Sequence, residues 1–225
     1  MSEVVAIVEG QTEQTFVRDQ LAAHLGARGV FVWPVLPGRT RRKGGVKAWD
    51  SARGDIIRTL KEGRYCTTMF DFYALPNDWP GRTEAVHKDW MERGQHVERA
   101  LLDDISGHMG QSFNPEQFIP YVQVHEFEAL MFSDTHQLAE TCAALCSYPV
   151  ASLERQFQEV VDQAGDPEAI DDDYDTCPSR RITEIVASYR KRAHGPIVAQ
   201  RIGLESLRAK CKHFAAWVEK LEHLQ

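Results

Sequence analysis

Short apolar runs alternate with helical patterns over the first two-thirds of the chain. The runs are rich in valine, isoleucine and aromatic residues and occupy residues 4–8, 30–35, 66–73 and 118–124. Runs that are apolar at nearly every position are typical of parallel strands buried on both faces. The segments between them repeat apolar residues at helical spacing. This alternation predicts βαβ units and therefore an α/β fold with a mostly parallel sheet flanked by helices.

Prolines and glycines indicate where these elements end. Pro34 and Pro120 lie inside two of the apolar runs. Because proline cannot donate to a strand ladder, both runs are predicted at a sheet edge, at a bulge, or to end early. The helical pattern over residues 84–106 contains Gly94, which predicts a bend or a division of that helix. Residues 165–179 combine Gly, Pro and an aspartate run, which predicts a loop.

From about residue 126 onward the chain carries helical patterns only. We therefore expect an α/β core over residues 1–135 and a helical C-terminal extension over residues 136–225 that packs on it. A chain of 225 residues is long enough for one well-buried core. The two parts are accordingly predicted to form one structural unit.

Composition narrows the class of protein. The chain is 43% hydrophobic and 26% charged, which is typical of a globular domain. No apolar run approaches the roughly 20 residues of a membrane span, and the N-terminus has no basic-then-apolar leader. Five scattered cysteines without a disulfide pattern fit free thiols. We therefore expect a cytoplasmic protein without membrane contact; the sequence leaves a homo-oligomer open.

The net charge is −7, so binding to nucleic acid cannot be inferred from overall charge. One short segment is an exception. Its basic residues are Arg39, Arg41, Arg42, Lys43 and Lys47, with glycines among them. Because arginine and lysine contact phosphates irrespective of base sequence, this segment is predicted to hold a nucleic-acid backbone. The alternative is a solvated loop without a ligand.

Acidic residues stand at three of the predicted strand ends. Glu9 follows the first strand, Asp71 lies at the end of the third, and Glu126 and Glu128 follow the fourth. The carboxyl ends of neighbouring parallel strands meet at one edge of a sheet, where α/β proteins place their ligands. Clustered carboxylates repel one another, so they are kept apart, protonated or bound to a divalent cation; each acid taken alone could also be solvated or cap the next helix. The pattern predicts a site for Mg²⁺, or Mn²⁺, with these four residues as ligands or catalytic acids.

Two neighbours of these acids are further candidates. His125 precedes Glu126 and is predicted as a general base or a metal ligand, with a structural histidine as the alternative. Glu13 lies in the first turn of the first helix and is predicted to assist the ligand acids. The helix dipole also favours an acid there, so Glu13 is open to that simpler explanation.

Residues 8–13 (Val-Glu-Gly-Gln-Thr-Glu) resemble the first motif of TOPRIM (topoisomerase–primase) domains, especially those of overcoming-lysogenization-defect type nucleases. Most of the chain is similar to a TOPRIM-like group, domain of unknown function family 4276. The similarity to family 4276 rests on residues 67–76, 79–81 and 125–132 and on the tail over residues 195–217.

The resemblance implies a TOPRIM-like fold, magnesium held by Glu9 together with acids of a later strand, and a place in a bacterial anti-phage system with an ATPase partner. One position departs from the TOPRIM pattern. The usual aspartate pair has Asp71 at its first position but Tyr73 at its second. This departure weakens the case for two metal ions unless Glu126 or Glu128 takes the place of the missing acid.

Three functions fit the sequence. The first is metal-dependent hydrolysis of phosphodiester bonds in DNA or RNA, with the strand-end acids as the catalytic group. The second is a non-catalytic subunit derived from a TOPRIM domain that binds an ATPase or senses a phage component. The third is hydrolysis of a nucleotide or another small phosphorylated substrate.

Overall fold

A computed structural model of the chain describes residues 1–38, 45, 48–170 and 176–224. Within these residues the strands are β1 (Ser2–Val8), β2 (Val30–Val35), β3 (Tyr65–Asp71), β4 (Phe118–Ile119) and β5 (Val122–Gln123). The strand order is β2-β1-β3-β4, and β5 also pairs with β3. Every pairing is parallel. The predicted α/β fold with a parallel sheet is therefore confirmed.

Helices follow or precede each strand and make up the C-terminal part. In the described residues they are α1 (Gln11–Phe16), α2 (Ala22–Gly26), α3 (Trp49–Lys61), α4 (Arg82–Ala85), α5 (Trp90–Met109), α6 (Thr135–Ala143), α7 (Val150–Ala164), α8 (Pro178–Ile185), α9 (Lys191–Ile202), α10 (Leu204–Lys210) and α11 (Lys212–Glu222). A π-helical segment, Val17–Leu21, joins α1 to α2. Short 3₁₀ segments are Phe72–Ala74, Pro115–Gln117, Phe127–Ser133 and Pro167–Ala169.

The prolines limit the sheet as predicted. Within the described residues β2, which contains Pro34, is an edge strand that pairs only with β1. Pro120 divides the fourth apolar run into β4 and β5, each only two residues long. The missing N–H of proline is tolerated at both places because the strand either lies at the edge or is interrupted there.

Gly94 does not divide its helix, so the predicted division at this residue was wrong. α5 runs without a break from Trp90 to Met109, and the interruption lies earlier, between α4 and α5. A Cβ atom at Gly94 would lie 2.7 Å from His213 Nε2 and 2.9 Å from the carbonyl oxygen of Val122. The glycine is therefore required because α5 approaches the sheet and α11 closely.

The C-terminal helices pack on the sheet through α9 and α11. On α9, a Cβ atom at Gly195 would lie 3.2 Å from both Thr12 and Met131, so this glycine allows α9 to approach α1. On α11, Trp217 Nε1 donates to Thr67 Oγ1 of β3 at 2.8 Å. The boundary near residue 135 and the single structural unit stay predictions.

None of the helices in the described residues combines the length and the apolar character needed to cross a membrane. The cysteines form no disulfide in this part of the chain, in keeping with their scattered spacing.

Candidate active site

Backbone hydrogen bonds of β1 and β3 hold the first two acids together. The N–H of Glu9 donates to the carbonyl oxygen of Met69 at 3.0 Å, which extends the parallel pairing past the end of β1. The N–H of Asp71 then donates to Glu9 Oε2 at 3.0 Å. Asp71 Oδ1 in turn accepts from the N–H of Phe127 at 2.9 Å. The sheet edge itself therefore orients both carboxylates.

The chain after β5 brings the remaining acids to the same edge. His125 has a φ of 64°, in the left-handed region that non-glycine residues seldom adopt. Its carbonyl oxygen accepts from the N–H of Tyr73 at 3.2 Å, which ties this turn to the segment after β3. Glu126 follows in an extended conformation, and Glu128 lies in the 3₁₀ segment Phe127–Ser133. Backbone strain of this kind often occurs at functional sites.

Lys191 lies at the centre of the acidic group. Its Nζ is 2.8 Å from Glu128 Oε2, 3.3 Å from Glu126 Oε1 and 3.6 Å from Asp71 Oδ2. Because three carboxylates contact one ammonium group, Asp71, Glu126 and Glu128 are close neighbours. Whether Glu126 or Glu128 replaces the missing second aspartate as a metal ligand stays a prediction.

Glu13 completes the group from the first turn of α1. Its side chain is buried and folds back over Gly10, where a Cβ atom would lie 3.1 Å from Glu13 Oε2. The N–H groups of Gly10 and Glu13 stabilise the carboxylate by hydrogen bonds. This resembles a capping box, in which an acid at the third helical position binds the N-cap amide. Gly10 thus makes room for an acid beside Glu9.

Burial raises the pKa of four of the five acids. Burial, and then the nearby Glu13 carboxylate, raises the pKa of Glu9 to about 7. Burial raises the pKa of Glu128 to about 7, although Lys191 opposes this effect. Burial also raises the pKa of Glu13 and, together with Glu9, that of Asp71. The metal-free group therefore holds protons near neutral pH that ordinary carboxyls would have lost.

Glu126 and Lys191 behave as a charged pair. Burial alone would raise the pKa of Glu126, but Lys191 and the N–H of Ser179, which donates to Oε2 at 2.9 Å, lower it. Burial alone would lower the pKa of Lys191, but Glu128, Asp71 and Glu126 raise it above its usual value. The lysine is therefore an ammonium ion that contacts at least one ionised glutamate.

His125 is buried beside the group, 2% exposed, with its ring below the surface. Its role as a base or metal ligand stays a prediction. The residues predicted to bind a nucleic-acid backbone all lie outside the described residues. They are Arg39, Arg41, Arg42, Lys43 and Lys47. Gly45, between them in sequence, donates its N–H to the carbonyl oxygen of Glu9 at 2.8 Å, so the segment touches the acidic edge at that residue.

The oxygen-rich donor set suits a hard divalent cation, which prefers carboxylates and water. As the side chains stand, however, no group of three or more His, Cys, Asp or Glu residues in the described ranges is arranged to hold a metal ion. In this arrangement the ammonium group of Lys191 lies among three of the carboxylates. The residues fit a cation only if this ammonium group moves aside.

Lys191 is the residue that the sequence argument missed. It is separated by more than 60 positions from every acid it contacts, so no spacing rule connects them. One signal was available. Arg190, Lys191 and Arg192 form a basic run at the start of α9, where the helix dipole disfavours positive charge. Such a run indicates that acids lie nearby in space.

Fold and site together define an α/β protein with a cluster of carboxylates at the carboxyl edge of a parallel sheet. Residues 8–222 match the model of the domain of unknown function family DUF4276, and the chain belongs to that family. No curated protein matches the chain.

Two solved structures of the C-terminal region of the Xanthomonas campestris pv. campestris OLD protein are similar to the chain. The structure phased with iodine is 14% identical, covers 99% of this chain and 95% of that chain, and has a TM-score of 0.47. The one phased with platinum is 17% identical, covers 97% and 94%, and has a TM-score of 0.38. Identities this low say nothing about activity.

Proposed function

We propose that the protein is a metal-dependent phosphodiesterase of TOPRIM type that cleaves DNA or RNA. The observation that carries this proposal is the convergence of five acids, Glu9, Glu13, Asp71, Glu126 and Glu128, on one edge of the parallel sheet. Lys191 contacts three of these acids, and no ion pair among the described residues joins a cation to Glu9 or Glu13, so carboxylate oxygens remain available to a divalent cation.

Glu9 and Asp71 are the residues we assign to Mg²⁺ or Mn²⁺, because both stand at the end of the sheet and the N–H of Asp71 donates to Glu9 Oε2. Glu126 or Glu128 would supply a further ligand or accept a proton from water. Glu13 would keep Glu9 oriented, and His125 would support Glu126 from the adjacent position. When bound, a divalent cation supplies an activated water and neutralises charge on the phosphodiester.

The proposal that the substrate is a nucleic acid rests on the distribution of charge near the acids. An acidic edge repels a polyanion unless cations lie beside it. The contact of Gly45 with Glu9 supports the idea that the basic segment between Arg39 and Lys47 holds the nucleic-acid backbone next to the acids. In this proposal the basic segment binds and the acidic edge cleaves.

The test is cleavage of labelled single-stranded DNA, double-stranded DNA and RNA with Mg²⁺ or Mn²⁺. Wild type should cleave at least one polymer, whereas Glu9→Gln and Asp71→Asn should lose about 100-fold or more in rate. Glu205→Gln, which changes an exposed acid on α10, is the matched control and should retain full activity. Circular dichroism shows whether each variant is folded.

Absence of cleavage by a folded wild type, with every polymer and both metals, would reject the proposal. Cleavage of free nucleotides but not of polymers would instead indicate a hydrolase of small phosphorylated substrates.

A second function is favoured by Lys191 and Tyr73. The ammonium group at the centre of the acids and the tyrosine at the second aspartate position of the TOPRIM pattern both suit a non-catalytic subunit. Such a subunit would bind an ATPase partner. Stoichiometric complex formation with an ATPase, without metal-dependent turnover of any substrate, would support this alternative.

A further inference from the structure

The Lys191 ammonium group has the surroundings of a bound cation. It meets carboxylate oxygens of three residues at 2.8, 3.3 and 3.6 Å. These oxygens come from the end of β3 and from the turn that follows β5, while the lysine comes from α9. The ammonium group of Lys191, attached to α9, thus contacts acids from both the end of β3 and the turn after β5.

Neutralisation by this one lysine is incomplete. Glu128 is fully buried, and its Oε1 accepts no hydrogen bond from any described residue. Among the described ion pairs, none joins Lys191 to Glu9 or Glu13. A buried carboxylate oxygen without a donor is costly, so the group retains capacity for more positive charge than the lysine brings.

The lysine can leave without disturbing the helix that carries it. Its side chain is 37% exposed, and it is the first residue of α9. Four residues later, a Cβ atom at Gly195 would lie only 3.2 Å from Thr12 and Met131, so α9 packs closely against α1 at that point. A lysine side chain has a flexible four-carbon stem. Rotation of that stem moves the ammonium group into solvent while α9 stays in place.

We propose that Lys191 is a built-in competitor of the divalent cation: its ammonium group fills the cation position in the metal-free protein, and metal binding requires it to swing into solvent. This inference rests on the cation site of the proposed function. An ammonium ion and a divalent cation repel each other and need the same oxygen lone pairs, so they exclude each other. The lysine therefore sets the metal concentration at which the site fills.

Calorimetric titration with MnCl₂ or MgCl₂ tests this directly, without any substrate. Lys191→Met keeps the stem and removes the charge, and should bind the metal about tenfold more tightly or better. Lys191→Arg keeps a positive charge and should bind no more tightly than wild type. Lys61→Met, at an exposed position on α3, is the matched control and should leave the affinity unchanged. Equal or weaker binding by a folded Lys191→Met would overturn the proposal.

A second measurement uses the wild-type protein and covers the case in which Lys191→Met does not fold. Reductive methylation with formaldehyde and a borohydride reductant, which supplies hydride to the imine, reports by mass spectrometry how accessible each lysine is. Lys191 should react slowly without metal and several-fold faster with saturating Mn²⁺, while Lys61 should react equally in both. Unchanged reactivity of Lys191 would overturn the proposal.

These experiments distinguish failure of the proposed hydrolysis from failure of the proposed competition between Lys191 and the metal. If the protein cleaves nothing but Lys191→Met binds metal more tightly than wild type, the competition stands and the proposed hydrolysis fails. If the protein cleaves a polymer but neither measurement shows exchange, the hydrolysis stands and Lys191 is not a competitor.

Discussion

Two buried glutamates in this molecule are held in different ways. Glu168 is 1% exposed, and its two oxygens accept the N–H groups of His213 and Phe214 at 2.9 and 3.1 Å, at the start of α11. Glu128 is 0% exposed, and one of its oxygens meets the Lys191 side chain at 2.8 Å. Burial raises the pKa of both carboxyls above the ordinary value.

The two glutamates differ in the groups that contact their carboxylates, not in the direction of their pKa shifts. Backbone N–H groups at a helix N-terminus cannot leave without unfolding the helix, so Glu168 is fixed as part of the structure. A lysine side chain can leave, so the partner of Glu128 is replaceable. A carboxylate whose partner can be exchanged is a candidate for binding, whereas one held by backbone amides is a candidate for stability.

The largest expected effect follows from removing the fixed carboxylate. Glu168→Ala leaves two N–H groups at the start of α11 without an acceptor, so the free energy of unfolding should fall by about 3 kcal/mol. Glu168→Gln retains one acceptor oxygen and should lose less. Urea unfolding followed by circular dichroism measures both, and metal affinity should be unchanged in either folded variant. A loss below about 1 kcal/mol for Glu168→Ala would contradict the structural role.

The next effect concerns pH. The pKa of Glu9 rises from 4.5 to about 7 on folding, so between these values the folded protein binds more protons than the unfolded chain. Stability should therefore fall as pH rises from about 5 to 8 without metal, by about 2 kcal/mol. Glu9→Gln should reduce this dependence, to which the raised pKa values of Glu13, Asp71 and Glu128 also contribute, and Glu205→Gln should retain it. Urea unfolding across that range is the measurement; a steeper fall in Glu9→Gln would contradict the assignment.

A smaller effect is expected at the exchangeable carboxylate. Glu128→Gln should lower the free energy of unfolding by no more than about 1 kcal/mol, because Lys191 is partly exposed and keeps two other carboxylates. Comparison with Glu168→Ala under the same conditions sharpens the contrast between the two glutamates. A loss as large as that of Glu168→Ala would show that Glu128 is structural too.

The smallest effect on stability is expected in the basic segment. Reversing the charge at Arg41 and Arg42 to Glu should change the free energy of unfolding by less than about 0.5 kcal/mol. It should nevertheless weaken binding to a labelled oligonucleotide and reduce the salt dependence of that binding. Fluorescence anisotropy at two salt concentrations measures both quantities. Unchanged affinity would favour the solvated-loop alternative for this segment.

The sequence predicted those parts of the structure that depend on local pattern. Fully apolar runs gave the parallel strands, and the fixed geometry of parallel strand ends gave the meeting of Glu9 with Asp71. Gly94 shows the limit of local pattern. A glycine in a helix was interpreted as a break, but its purpose is a close contact with His213, which is far along the chain.

Lys191 shows the same limit at the site. The position of its ammonium group depends on how α9 packs on α1, and this packing depends on the small size of Gly195 against Thr12. No periodicity in the sequence contains that information. The acids could be predicted from the chain because one sheet aligns them, whereas their counter-ion comes from a separate helix.

The order in which this charge group is synthesised has a consequence for folding. All five acids lie within the first 128 residues, whereas the lysine that contacts three of them is residue 191. When the strands have left the ribosome but α9 has not, these carboxyls must be protonated, solvated or kept apart. Closure of the sheet edge is therefore a late, long-range event, of the kind that slows folding. The helical C-terminal part thus completes the charge balance of the strands made long before it.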